Sequence, residues 1–286
     1  MSTQVTIQMV KELRERTGVG MSKCKEALTE SKGNLEDAVD HLRKAGIASA
    51  VKKEGREANE GAVVSKESDN TIAVVEISAE TDFVVKNDKF QEFASNVALD
   101  VAKTKPADVS AFSDQPYSQD PSMTVNEFRA TVVQSLGENI QIKRIHTTSK
   151  EENTSYGVYS HMAGKILSLV VISGSSDEDA LAKGIAMHIA AEAPEYLDAE
   201  DVPEAAKARE MDIAKTQALN SGKPESIVDK IVEGKLRSFY DQVCLLRQKY
   251  VKDSDLTIAQ LVAKHAKESG KPLALKSFIR WKVGQK

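Results

Sequence analysis

Gly61-Ala62-Val63-Val64-Ser65-Lys66-Glu67-Ser68-Asp69-Asn70-Thr71-Ile72-Ala73-Val74-Val75-Glu76-Ile77 contains two apolar, β-branched runs around a cluster of turn formers. This pattern predicts a β-hairpin turning at Ser68-Asp69-Asn70. A second copy follows at Gly157-Val158-Tyr159-Ser160, with a turn at His161-Met162-Ala163-Gly164 and a strand from Lys165 to Ile172. Each hairpin precedes an amphipathic helix. The first carries Phe90, Phe93, Ala94, Val97, Ala98 and Val101; the second carries Leu181, Ala182, Ile185, Ala186, Ile189 and Ala190. Each half then has a helix bounded by Thr and Gly at the same separation, Thr124 to Gly137 and Thr257 to Gly270. Thr124 and Glu127 make a capping box. Strand-like runs, Ile140–Ile145 and Ser277–Val283, close the two halves. The fold class expected is therefore α+β, with two repeated subdomains, each a three-stranded antiparallel sheet backed by helices.

The halves differ in what separates their helices. A loop bearing Pro106, Pro116 and Pro121 serves the first, and an insertion from about Leu197 to Asp255 serves the second. The insertion predicts helices at 203–221 and 225–242, joined through Ser221-Gly222-Lys223-Pro224, where Gly and Pro are stop and start signals. Ile227, Ile231, Leu236 and Phe239 mark an apolar face on its second helix. Residues 1–50 predict three short helices: one with Val5, Met9, Val10 and Leu13, one starting at Ser22, and one starting at Asn34 and stopping at Gly46. Lys52–Glu57 reads as a solvated linker. The domain boundaries expected are 1–54, 55–147, 148–198 with 246–286, and 199–245.

Between the first hairpin and its helix lies Glu80-Thr81-Asp82-Phe83-Val84-Val85-Lys86-Asn87. Such a connection normally runs over the surface and is polar. Phe83 either plugs the core, where burying it stabilises by about 1.5–3 kcal/mol, or offers an anchor to a partner. The matching junction, Ser173-Gly174-Ser175-Ser176-Asp177, is small and polar, so the repeat itself does not demand an aromatic there.

Net charge is −4, and aromatics make up 5% of the chain, which argues against direct nucleic-acid binding. Cys24 and Cys244 are isolated, so neither a disulfide framework nor a zinc site is expected, and a reducing cytoplasm is the natural compartment. The start of the chain lacks a signal-peptide profile, and its apolar runs are too short to cross a membrane. No phosphate loop, dinucleotide fingerprint or nucleophile elbow occurs. His188 and Glu192, one helical turn apart, could touch a metal but lack a third ligand. His41, His146 and His265 are scattered; His161 stands out by falling in a turn. No cofactor, metal or covalent chemistry is expected.

Several motifs carry a family resemblance. They are Val10 to Met21, Cys24-Lys25-Glu26-Ala27-Leu28, Thr81-Asp82-Phe83-Val84, Gly137-Glu138-Asn139-Ile140, Met187-His188-Ile189-Ala190-Ala191, Ser221 to Pro224 and Val232-Glu233-Gly234-Lys235. Together they resemble bacterial elongation factor Ts, the guanine-nucleotide exchange factor of elongation factor Tu, over nearly the whole chain. The resemblance implies a ubiquitin-associated-type N-terminal domain, two core subdomains and a coiled-coil dimerisation hairpin. It implies that Lys11, Arg14, Met21 and Lys25 face the G domain of Tu. Asp82 and Phe83, within the loop Thr81–Val84, would insert beside the nucleotide's magnesium and phosphates. Leu136 and Gly137 would support that contact, and His161 would touch Tu separately. Ser22 stands where members often carry a second methionine. The sequence ends at Val283-Gly284-Gln285-Lys286, where many members continue into a C-terminal helix, so that contact is not carried over. With the resemblance, Phe83 is expected to be a partner-directed wedge. A general interaction protein built on residues 1–50 is the rival, and it leaves the loop and the repeat without a role.

Overall fold

The computed structural model describes residues 5–222 and 224–285. The opening residues 1–4 and Lys223 of the predicted helical joint lie outside them. The described residues divide into two compact units, one of 5–150, 162–166 and 282–285, the other of the remainder.

The first unit opens with α1 (Ile7–Thr17), α2 (Met21–Glu30) and α3 (Leu35–Lys53). Thr6 caps α1, and Gly18 ends it in the left-handed conformation at φ 68°, where glycine carries no Cβ penalty. Gly20, not Ser22, occupies the N-cap of α2; Ser22 already lies in the first turn. Asn34 caps α3 through the amides of Glu36 and Asp37. Val10, Leu13, Val19, Cys24, Ala27, Leu28, Ala38 and Leu42 form the core of this module.

Next come β1 (Glu60–Ser68), β2 (Thr71–Ala79), α4 (Asp82–Val85), α5 (Asp88–Thr104) and α6 (Val109–Asp114). They are followed by β3 (Pro116–Tyr117), β4 (Asp120–Thr124), α7 (Val125–Leu136) and β5 (Gln141–Ser149). The sheet order is β1-β2-β5, antiparallel throughout. Ser68 pairs with Thr71, which puts the turn at Asp69 and Asn70 as expected. Every residue of the central strand β2 is buried. Its Glu76 carboxylate is met by Arg144 on β5 and by the Gly284 amide, since a buried charge without partners is strongly destabilising. Phe90, Phe93, Ala94, Val97, Ala98 and Val101 of α5 supply much of this core.

Gly46 does not stop α3, which runs on to Lys53. Tertiary packing outweighs the roughly 1 kcal/mol helix penalty of glycine. A Cβ at Gly46 would lie 3.3 Å from the Ala130 carbonyl oxygen, so glycine lets α3 and α7 approach closely. The expected linker at Lys52 therefore begins inside a helix. The Pro-bearing loop likewise contains α6 and the small β3–β4 hairpin.

The second unit, which holds all of the following elements but their border residues Ile166 and Lys282, has β6 (Thr154–His161), β7 (Ile166–Ser173) and α8 (Asp179–Glu192) before α9 (Glu204–Asn220) and α10 (Glu225–Val243). Then follow β8 (Lys249–Tyr250), β9 (Asp253–Thr257), α11 (Ile258–Ser269) and β10 (Ala274–Lys282). The sheet order is β10-β7-β6. His161 closes β6 rather than opening the turn, which spans residues 162–165. In the helical pair, Ala214, Ala218, Val228 and Val232 are buried, with Ile231 packed against them. The predicted face is thus rotated by one residue: Val228 points inward and Ile227 is exposed. Phe239 packs with Val202, Val243 and Cys244 at the base of the pair.

His188 is fully buried and both ring nitrogens are engaged. The Val251 amide donates to Nδ1 at 3.2 Å. Nε2 therefore carries the proton and donates to the Gln248 side-chain oxygen at 2.9 Å. Burial holds the ring's pKa below its ordinary value, against the opposing effects of Gln248 and Glu192. This geometry leaves no ring nitrogen for the metal weighed for His188 and Glu192. Among the described residues no group of three potential metal ligands occurs, and no helix is long and apolar enough to cross a membrane.

Candidate partner-binding site

The junction 80–87 divides its apolar residues between the core and the surface. Thr81 caps the four-residue helix α4 through the Val84 amide. One helical turn then sends neighbouring side chains in different directions. Val85 is buried and Val84 packs partly against the first core. Phe83 faces outward with 80% of its surface exposed, the most exposed large apolar side chain among the described residues. The plug exists, but it is made of the valines.

Hydrogen bonds pin this turn on both sides. The Glu138 carboxylate accepts the amides of Glu80 and Thr81, each at 3.0 Å, and the Thr81 hydroxyl at 2.6 Å. In return the Asn139 amide donates to the Glu80 carboxylate at 2.6 Å, and Arg56 pairs with Glu80. On the far side Gln91 donates to the Val85 carbonyl at 2.6 Å. Asp82 pairs with Lys86 at 2.6 Å, and this bond holds its carboxyl below the usual carboxylate range.

Leu136 ends α7 and packs partly into the core, and Gly137 follows in the left-handed conformation at φ 85°. A Cβ there would meet nothing, so the backbone conformation alone favours glycine. That turn carries Glu138 towards the Phe83 loop. Lys11, Arg14, Gly18, Gly20, Asn87 and Leu136 line one cleft of the first unit. Gly18's carbonyl accepts Lys89 and Ser135, each at 2.8 Å, which fastens the end of α1 to α5 and α7. Met21 and Lys25 border a neighbouring depression with Val5, Ile7 and Val10, and Ile7 is 74% exposed.

The sequence-predicted residues of the first unit thus fall into three groups: Thr81–Val84; Lys11 and Arg14 with Leu136 and the adjoining Gly137; and Met21 with Lys25. In the second unit His161 is exposed at the end of β6, with Tyr159 Oη 3.1 Å from its Nδ1. Sequence reasoning missed Glu80, Glu138 and Lys86. Glu138's place directly after a helix-ending glycine was the available signal, but its partner residues are distant in the chain.

The family model described as Elongation factor TS matches residues 80–285. Curated relatives extend the likeness across the N-terminal module. Elongation factor Ts of Protochlamydia amoebophila is 58% identical over 281 residues, covering 98% of this chain and 99% of the relative. Elongation factor Ts of Chlamydia felis is 47% identical and that of Chlamydia muridarum 46% identical, each over 98% of both chains. With the match running through the Thr81–Val84 turn and both repeats, the chain belongs to the elongation factor Ts family.

Proposed function

We propose that this protein binds elongation factor Tu in the cytoplasm and promotes release of GDP, with Phe83 as a wedge beside the magnesium and phosphate region. The observation that carries this reading is Phe83 itself, 80% exposed on a turn hydrogen-bonded from both sides. An exchange factor needs no acid, base or nucleophile. It binds the nucleotide-free GTPase more tightly than the loaded one and, by linkage, weakens nucleotide binding by the same factor. Phosphates on such proteins are held by backbone amides and Mg²⁺, so small displacements of those elements suffice. A preorganised aromatic gains its burial energy only once the partner opens a pocket.

Asp82 sits at the wedge's N-terminal side, while Leu136 and Gly137 support the turn from α7. Lys11, Arg14, Met21 and Lys25 form the G-domain contact, where the cations mainly raise the rate of encounter. His161 supplies a separate contact, and α9 with α10 offers a surface for self-association. Phe83→Ala is expected to slow stimulated GDP release about tenfold or more, since aromatic anchors cost about 2 kcal/mol or more on truncation. Its thermal stability should barely move, because the ring is exposed. Stopped-flow release of fluorescent GDP at the unmutated rate would refute the wedge.

A further inference from the structure

We propose that Glu138 is the positioning residue for Phe83, acting through the Thr81 hydroxyl; this rests on the exchange reading above. The Phe83 ring is so exposed that its place depends on the backbone of α4. That backbone is set at its start by Thr81, whose hydroxyl accepts the Val84 amide at 3.3 Å. A hydroxyl has one proton and can point it anywhere. Here the proton is committed to Glu138 Oε1 at 2.6 Å, which leaves the oxygen's lone pairs for Val84. The other carboxylate oxygen gathers the Glu80 and Thr81 amides, so three donors from two successive residues converge on one side chain. Charge-assisted bonds of this kind are roughly twice as strong as neutral ones.

The clamp is reciprocal, because the Asn139 amide returns a bond to Glu80. Asn139 is itself buried and donates to the carbonyls of Glu54 and Arg56. The loop of the wedge and the turn after α7 are therefore locked as one piece. Glu138 is half-buried and its carboxylate is occupied by these donors, which suits a side chain that orients the loop rather than one that meets the partner.

Two measurements on the full chain test the proposal. Amide hydrogen exchange in the free protein should rise about tenfold or more at Thr81 and Val84 in Glu138→Ala, with β2 amides unchanged. Glu138→Gln, which can still accept both amides, should rise less. Stimulated GDP release is then measured for wild type, Phe83→Ala, Glu138→Ala and the double variant. Glu138→Ala should slow release about fivefold or more and add nothing further in the Phe83→Ala background. Loop amides that stay protected in Glu138→Ala would overturn the clamp, and so would a double variant slowed by the product of the single effects. If Phe83→Ala releases GDP at the unmutated rate, the wedge reading fails instead, and hydrogen exchange alone judges whether Glu138 holds the loop.

Discussion

In the first repeat the buried carboxylate of Asp100 on α5 accepts the Ser118 amide at 3.1 Å; in the second the His188 ring on α8 accepts the Val251 amide at 3.2 Å. These groups occupy corresponding places. Each stands at the same separation before a left-handed residue that ends its helix, Lys105 or Ala193. Each receives the residue after a buried tyrosine, Tyr117 or Tyr250. The surrounding frame also repeats: Val125 donates to the Gln115 carbonyl and Ile258 to the Gln248 carbonyl, both at 3.0 Å. One architecture therefore tolerates either an anion, further satisfied by the Ser118 hydroxyl, or a neutral ring. What it requires is an acceptor for one amide.

The junctions after the second strands diverge in the opposite sense. In the second repeat Ser155 donates to the Ser175 carbonyl at 2.7 Å and accepts the Glu178 amide at 2.8 Å. Gly174, at φ 97°, lies so near Pro272 that a Cβ would fall 2.2 Å from its carbonyl oxygen. That junction turns Ser175 inward, while Ser176 and Asp177 stay exposed. The first is widened by a helical turn that presents an aromatic ring. The common frame supplies stability, and the departure from it is where the exposed ring stands.

Three perturbations probe the limits of this equivalence. The largest is Gly157→Ala: α8 lies against β6 so closely that a Cβ would fall 2.1 Å from the Ala182 carbonyl carbon. A cost of about 3 kcal/mol is expected. Hydrogen exchange should show it as lost protection in β7 with β2 retained; equal loss in both sheets would show that the repeats do not fold as separate cores.

Acidification comes next. Because burial depresses the pKa of His188, the unfolded chain takes up that proton first as pH falls below about 6.5. The stability contributed by the neutral ring is complete above that pH. It is then lost by up to about 1.4 kcal/mol per pH unit until the folded state also protonates. After correction for the slower intrinsic exchange at lower pH, the protection of the Val251 amide should fall between pH 7.5 and 5.5 in the wild type and much less in His188→Gln. The same slope in both would assign the effect elsewhere.

The smallest effect is at the caps. Thr124 and Thr257 each make both bonds of a capping box. Replacing either with Ala should cost about 1 kcal/mol. Denaturant titrations giving clearly unequal costs would mean that the equivalence does not extend to helix initiation.

Much of this arrangement was legible in the residues, because local signals carry it. Asn34, Thr124 and Gly137 act within a few positions of where they stand, and the apolar spacing of α5 and α8 is local too. The three helices and both hairpins followed from such signals; for Phe83 the local pattern left core and surface both open, and the contrast with the second repeat and the family resemblance tipped it outward. What escaped depends on distant chain segments meeting. Gly46 reads as a stop until Ala130 lies beside it. Glu138 reads as a surface charge until Glu80 and Thr81 reach it. His188 with Glu192 imitates a ligand pair until Val251 and Gln248 occupy the ring. The two-residue strands β3 and β8 are too short to carry a periodicity at all.

The two cysteines provide built-in clocks for motion. Cys24 sits in the core of the N-terminal module and Cys244 at the base of the helical pair, both fully buried. Burial pushes the Cys24 thiol pKa up and that of Cys244 up to about 11, so neither offers much thiolate near neutral pH. Alkylation must wait for each site to open. With each cysteine changed in turn to Ala, labelling of the survivor would time the opening of one region alone, in a chain that needs no added probe.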